Sequence, residues 1–149
     1  KCFCNKYFKW KKGPPPEINL LNEKNNGETV LKLIEEGLIK SAHDVSLGGI
    51  ITAVSKMAIK GKKGFKLNKL KVLINKFDYY FGEDQGRYII EIEPKNLSKV
   101  QKILKDNSVH YDEIGLVTEK DIILDKEPII HIDDLVKSNT NWLKEYMDK

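Results

Sequence analysis

Arginine is nearly missing from this sequence. Of 26 basic residues only Arg87 is an arginine, and the lysines that make up the rest are scattered among 22 acidic residues without a long run of one sign. Guanidinium is the group that reads guanine edges and grips phosphates in pairs of bonds. A formal charge of +4 carried by dispersed lysines therefore does not make a nucleic-acid footprint, and no nucleic-acid partner is expected. Cysteine is almost as scarce. Cys2 and Cys4 are the only two, too few to close a tetrahedral zinc site by themselves and too close to a terminus to form a disulfide framework. Reduced thiols are expected. Three histidines, His43, His110 and His131, stand apart without metal-ligand spacing. No apolar run approaches the roughly 18 residues that span a bilayer, and the basic, aromatic stretch Lys1 to Lys12 lacks the apolar core of a secretory signal. A cytoplasmic protein with no membrane partner is the expectation.

What is there is enough for a folded domain. The 149 residues are 40% hydrophobic and 32% charged, within the range of a single globular core. Gly13-Pro14-Pro15-Pro16 favours a stiff extended segment and marks a boundary, with residues 1–16 as a tail or linker and 17–149 as the domain. A first helix is predicted from Glu17 to Lys24, a break at Asn26-Gly27, and a second helix from Glu28 to Glu36. There Val30, Leu31, Ile34 and Leu38 keep helical spacing, Asn26 serves as N-cap and Gly37 as stop. Ile39 to Val45 reads as a strand, Ile50 to Ile59 as a helix buried on most sides, Phe65 to Leu67 as a strand, and Val72 to Phe77 as a helical turn. Gln85 to Glu93 is the clearest strand, with Tyr88, Ile90 and Ile92 on one face. Leu97, Val100, Ile103 and Leu104 mark an amphipathic helix. Strands Glu113 to Thr118 and Asp121 to Leu124 follow, joined by a tight turn at Glu119-Lys120. A short strand over Pro128 to Ile132 and a closing helix with Leu135, Trp142 and Tyr146 on one face complete the chain. Intermixed helices and strands place it in the α+β class.

Two segments carry chemistry. In Ala42-His43-Asp44-Val45-Ser46-Leu47-Gly48-Gly49 a strand ends and two glycines open a buried helix. Free backbone N–H groups at such an entrance suit an anion, and the missing Cβ lets the backbone approach either a ligand or a neighbouring segment. The plainer alternative is that Ser46 caps, Asp44 serves the turn and the glycines permit packing. His43 is either a general base or a structural hydrogen-bonding group. In Phe81-Gly82-Glu83-Asp84-Gln85-Gly86-Arg87 two carboxylates, an amide and the single arginine sit between glycines. Arg87 can grip a phosphate or carboxylate, while Glu83 and Asp84 can accept from sugar hydroxyls or amines. The alternative is an Arg87 salt bridge to Glu83 or Asp84 that stiffens the loop.

Together these segments resemble the C-terminal domain of the aminoimidazole ribonucleotide synthetase superfamily. His43-Asp44-Val45-Ser46 with Gly48-Gly49 is similar to its histidine–aspartate–valine–serine–aspartate–glycine–glycine motif. Phe81 to Arg87 is similar to its phenylalanine–glycine–glutamate–serine-or-aspartate–glutamine–x–arginine motif. Within the superfamily, Pro14-Pro15-Pro16, Glu23-Lys24-x-Asn26-Gly27, Ile114-Gly115 and Trp142-Leu143-x-x-Tyr146-Met147 resemble the large subunits of phosphoribosylformylglycinamidine synthases. They set the chain apart from thiamine-phosphate kinases and hydrogenase-maturation proteins. The resemblance runs from about Gly13 to Lys149.

The resemblance implies a mixed sheet covered by helices, partly ferredoxin-like in topology. It implies a parent enzyme of purine biosynthesis that uses ATP and magnesium to amidate formylglycinamide ribonucleotide with glutamine-derived ammonia. The implied partners are the N-terminal domains of the same enzyme and its glutaminase and small subunits. For this chain alone it implies no catalytic residue, no metal and no cofactor. His43, Asp44, Ser46, Gly48, Gly49, Glu83, Asp84, Gln85 and Arg87 fall at its substrate- or nucleotide-binding positions. Leu47 departs from the motif by replacing a second aspartate. With the unmatched Lys1 to Lys12, that departure is expected of a domain taken from a larger protein or left by a split gene, the latter acting as a partner-binding or self-associating module.

Overall fold

The computed structural model describes residues 17–68, 75–125 and 127–148. The boundary expected at Gly13 to Pro16 lies outside them, as does the first half of the helical turn expected from Val72 to Phe77. The described residues fall into two units, one running to Val54 and resuming as far as Asp112, the other running from Ser55 and resuming at Glu113.

The first unit is built on α1, Leu20–Glu35. Asn19 starts it, its side-chain oxygen accepting from Asn22 N at 3.0 Å. The expected break at Asn26-Gly27 does not occur, and Asn26 is not a cap. Its amide donates instead to the Gly86 carbonyl at 2.9 Å, sixty residues away in sequence, and a Cβ on Gly27 would lie 3.4 Å from the Tyr88 hydroxyl. Tertiary contacts thus offset the roughly 1 kcal/mol that an interior glycine costs a helix. The expected stop at Gly37 is present in full. Gly37 has φ +63°, its N–H donates to Ile34 O, and Leu38 N donates to Leu33 O, each at 3.0 Å. That is the paired closure of a Schellman turn, and its apolar partners Leu33 and Leu38 enter the core with Val100 and Leu104.

Strand β1, Ser41–Asp44, pairs antiparallel with β3, Tyr88–Glu91. Both are shorter than expected. Gln85 to Arg87 form a turn, in which Gly86 takes φ +70°, so pairing starts only at Tyr88. Ile90 and Ile92 pack on the core as their alternation required. A 3-10 turn, Pro94–Asn96, leads into α4, Leu97–Asp106, which buries Val100 and Leu104. Helix α3, Lys76–Phe81, starts on Asn75, whose side chain accepts from Phe77 N at 3.0 Å. At the surface Glu93 meets Lys95 at 2.6 Å and Lys40 at 2.9 Å. Hydrogen bonds from these two ammonium groups, Lys95 first, hold its carboxyl at about 2, well below the usual range.

Helix α2, Gly49–Gly61, starts in the first unit and ends in the second. Ile50, Ala53, Val54 and Ala58 are all buried along it, as its apolar composition predicts. In the second unit β2 (Gly64–Leu67), β4 (Gly115–Thr118), β5 (Asp121–Ile123) and β6 (Ile130–His131) form a mixed sheet in the order β4-β2-β5-β6. The β2–β5 pair is parallel and the other two pairs are antiparallel. The tight turn at Glu119-Lys120 exists, but it does not make a hairpin, because β2 lies between the strands it joins. The chain crosses from one side of β2 to the other over Gly64, where any Cβ would strike the Asp121 carbonyl and the Thr118 side chain. Thr118 Oγ1 donates to Asp121 O across the crossing. Phe65, Leu67, Ile122 and Ile132 are buried in this unit. Closing helix α5, Ile132–Met147, leaves Trp142, Leu143, Tyr146 and Met147 more than half exposed. The α+β class with a mixed sheet holds, with the β1–β3 pair as a separate two-stranded sheet among the described residues.

Candidate functional site

The two motif segments come together in the first unit. Strand β1 delivers the first. His43 Nδ1 lies 2.6 Å from the Asp44 carbonyl and 3.4 Å from an Asp44 carboxylate oxygen. A carbonyl only accepts, so Nδ1 carries the proton in this bond. Val45 N donates to Arg87 O at 2.8 Å and fastens the two segments main chain to main chain. Ser46 turns the chain, its carbonyl accepting from Gly49 N at 3.0 Å. Leu47 is 70% exposed, with its side chain outside the core.

Gly48 and Gly49 are required by geometry. Their φ angles are +83° and +69°, a region that L side chains enter at a cost of roughly 1–2 kcal/mol. A Cβ on Gly49 would also lie 2.5 Å from Tyr80 O, 2.7 Å from Phe81 C and 2.8 Å from Gly82 O. Of the two uses for the missing Cβ, the neighbouring segment is therefore the one realised: the first turn of α2 rests on the backbone at the end of α3.

The α2 entrance is also filled. Glu83, half-buried, accepts from Gly48 N through Oε1 at 2.9 Å. A carboxylate at that point satisfies an orphan N–H and faces the positive end of the helix. Thr52 closes the turn from within, Oγ1 donating to Gly48 O at 3.0 Å.

Arg87 holds the loop from which Glu83 projects. Its Nη2 donates to Gly82 O at 2.7 Å and lies 3.2 Å from Asp84 Oδ2, while Nε donates to Asp84 O at 3.2 Å. The expected salt bridge thus forms with Asp84, and Glu83 goes elsewhere. A fork of donors in one plane explains why arginine stands here in a lysine-rich chain. Nearby Tyr79 is pushed above the ordinary phenol value, chiefly by burial and then by the Asp112 carboxylate, with Arg87 opposing.

Asp84 and Gln85 are exposed. Gln85, Gly86 and Arg87 border a polar cleft of about 230 Å³, with the cap residue Asn19 and Asn22 and Glu23 of α1 opposite. Among the described residues no three His, Cys, Asp or Glu side chains converge on a metal site. All nine sequence-derived candidates lie in this unit. Sequence reasoning missed the Glu83–Gly48 and Asn26–Gly86 bonds, which span 35 and 60 residues and leave no local signal.

Comparison with known proteins agrees with the motifs. The family model described as AIR synthase related protein, C-terminal domain, matches residues 3–125, so the stretch up to Lys12 expected to be unmatched is part of the family match from Phe3 onward. A curated relative, phosphoribosylformylglycinamidine synthase subunit PurL of Pelagibacter ubique, is 67% identical over 138 residues, covering 93% of this chain and 19% of its own length. The chain spans about a fifth of the curated relatives it matches. Among solved structures, Thermotoga maritima PurL complexed with ATP superposes with TM-score 0.70 at 21% identity, over 85% of this chain and 23% of that one. PurLQS from the same organism superposes with TM-score 0.67 at 21% identity, over 89% and 24%. At these identities the solved structures establish the fold.

Proposed function

We propose that the chain, which belongs to the AIR synthase related protein C-terminal domain family over residues 3–125, serves as that domain in a phosphoribosylformylglycinamidine synthase of the PurL type. The observation that carries this reading is 67% identity to a PurL subunit over 93% of the chain. The parent reaction is the ATP-dependent amidation of formylglycinamide ribonucleotide with glutamine-derived ammonia in purine biosynthesis, in the cytoplasm. Among the described residues no helix is long and apolar enough to cross a membrane.

Within the parent this domain forms one wall of a site. His43, Asp44, Ser46, Gly48, Gly49, Glu83, Asp84, Gln85 and Arg87 make up that wall, and Asp44, Ser46, Asp84 and Gln85 are its exposed residues. The described residues do not fit magnesium or ATP by themselves. Glu83 and Asp84 are engaged with Gly48 and Arg87, and the helix entrance that would take a phosphate already holds a carboxylate. ATP use by the parent is supported by the ATP complex of the Thermotoga protein, and we assign ATP and magnesium to its N-terminal domains. Glutaminase and small subunits complete the assembly, a reading supported by the PurLQS structure. Alone, the chain does not catalyse.

The test is complementation. A PurL chain truncated before this domain is mixed with the separate 149-residue chain and assayed for amidation. Recovery of activity that the truncated chain lacks is expected. A folded chain that restores nothing, at any ratio, contradicts the reading.

A second reading, a self-associating module, is favoured by one observation. Trp142, Leu143, Tyr146 and Met147 leave an apolar face on α5 that is 60%, 53%, 71% and 73% exposed residue by residue, and such faces mark contact surfaces. Light scattering separates the two. A monomer that gains mass only with the truncated parent supports the first reading; concentration-dependent dimers of the chain alone support the second.

A further inference from the structure

We propose that the two motifs form a single latch, in which Glu83 is a positioning residue for the start of α2 and Arg87 holds Glu83 in place. Two independent observations meet at this point. Gly48 N donates to Glu83 Oε1 at 2.9 Å, and the absent Cβ of Gly49 lets the α2 backbone lie against Tyr80, Phe81 and Gly82. The same loop is then gripped from behind, where the Arg87 guanidinium binds the Gly82 carbonyl on one side of Glu83 and Asp84 on the other. Glu83 is thus flanked on both sides by residues that Arg87 fixes.

The consequence is mechanical. The 82–87 loop and the entrance of α2 move as one body, and whatever engages the loop at exposed Asp84 and Gln85 shifts the start of α2 with it. The inference stands on these contacts and does not depend on the enzyme to which the domain belongs. It also gives the motif arginine a role that needs no ligand.

Amide hydrogen exchange on the whole 149-residue chain, read at Gly48, tests it. Glu83→Ala is expected to speed exchange at Gly48 by about tenfold or more, since a hydrogen bond to a charged acceptor is lost. Glu83→Gln is expected to restore part of the protection, because a side-chain carbonyl still accepts. The decisive variant is Arg87→Lys, which keeps the charge and removes the fork. Its bonds go to Gly82 and Asp84, yet Gly48 is expected to exchange several-fold faster, and the double variant with Glu83→Ala no faster than Glu83→Ala alone. If Glu83→Ala unfolds the unit, Glu83→Gln takes its place in the same cycle. Unchanged exchange at Gly48 in a folded Arg87→Lys chain, or effects that simply multiply in the double variant, would overturn the latch.

Discussion

Two helix ends in the first unit are closed in opposite ways. The C-terminus of α1 is closed by its next residues, Gly37 and Leu38 returning to Ile34 and Leu33. The N-terminus of α2 is closed by Glu83, 35 residues further along the chain. Both ends need glycine at positive φ, but at Gly37 nothing lies within 4 Å of a Cβ, whereas at Gly49 three backbone atoms do. A local closure is a property of the segment. A remote one makes the helix end depend on the fold around it.

Substitutions should separate the two ends by size. Gly49→Ala combines backbone strain with collision against backbone that cannot rotate away. We expect a loss of about 3 kcal/mol or more, seen as a first unit that fails to unfold cooperatively in denaturant. Glu83→Ala comes next, at roughly 1.5–3 kcal/mol for a charged hydrogen bond and its helix-end interaction. Urea midpoints measure it, and Glu83→Gln should recover part. Gly37→Ala pays for conformation alone, with space for the methyl group, and should cost about 1–2 kcal/mol. If Gly37→Ala proves as damaging as Gly49→Ala, the contrast between the ends fails.

The smallest effect is electrostatic and lies away from both ends. Glu93 has its carboxyl lowered from 4.5 to about 2 by Lys95 and Lys40. A depressed carboxyl adds stability that is complete above its unfolded value and fades as pH falls from about 4.5 towards 2. The group lies at the surface, partly exposed and screened by solvent, so the effect should be small. Thermal midpoints of the wild type and Glu93→Gln should diverge as pH rises through that interval and stay parallel above it. Parallel curves throughout would show that the pair contributes nothing.

The same contrast explains what was legible in the sequence. Gly37 announced its stop because a Schellman turn is written in adjacent residues. The apolar spacing of Leu97, Val100, Ile103 and Leu104 announced α4 for the same reason. The continuous α1 could not be read, since Asn26 and Gly27 look like a break until Gly86 and Tyr88 are beside them. Nor could the separation of β4 from β5, because a two-residue turn normally makes a hairpin and only Gly64 of β2 permits the crossing. In the candidate site the sequence marked the residues and left their partners open. Arg87 to Asp84 was among the alternatives, and Glu83 to Gly48 was not.

The most direct test of the central claim, that this domain is one wall of a site completed by the rest of a PurL-type synthase, is calorimetric. The folded chain is titrated with magnesium-ATP and, separately, with formylglycinamide ribonucleotide, then again after mixing with the truncated parent. No heat from the chain alone and binding to the mixture beyond that of the truncated parent is the expected result. Micromolar binding of either ligand to the chain alone would contradict it, and would mean that the domain carries a complete site of its own.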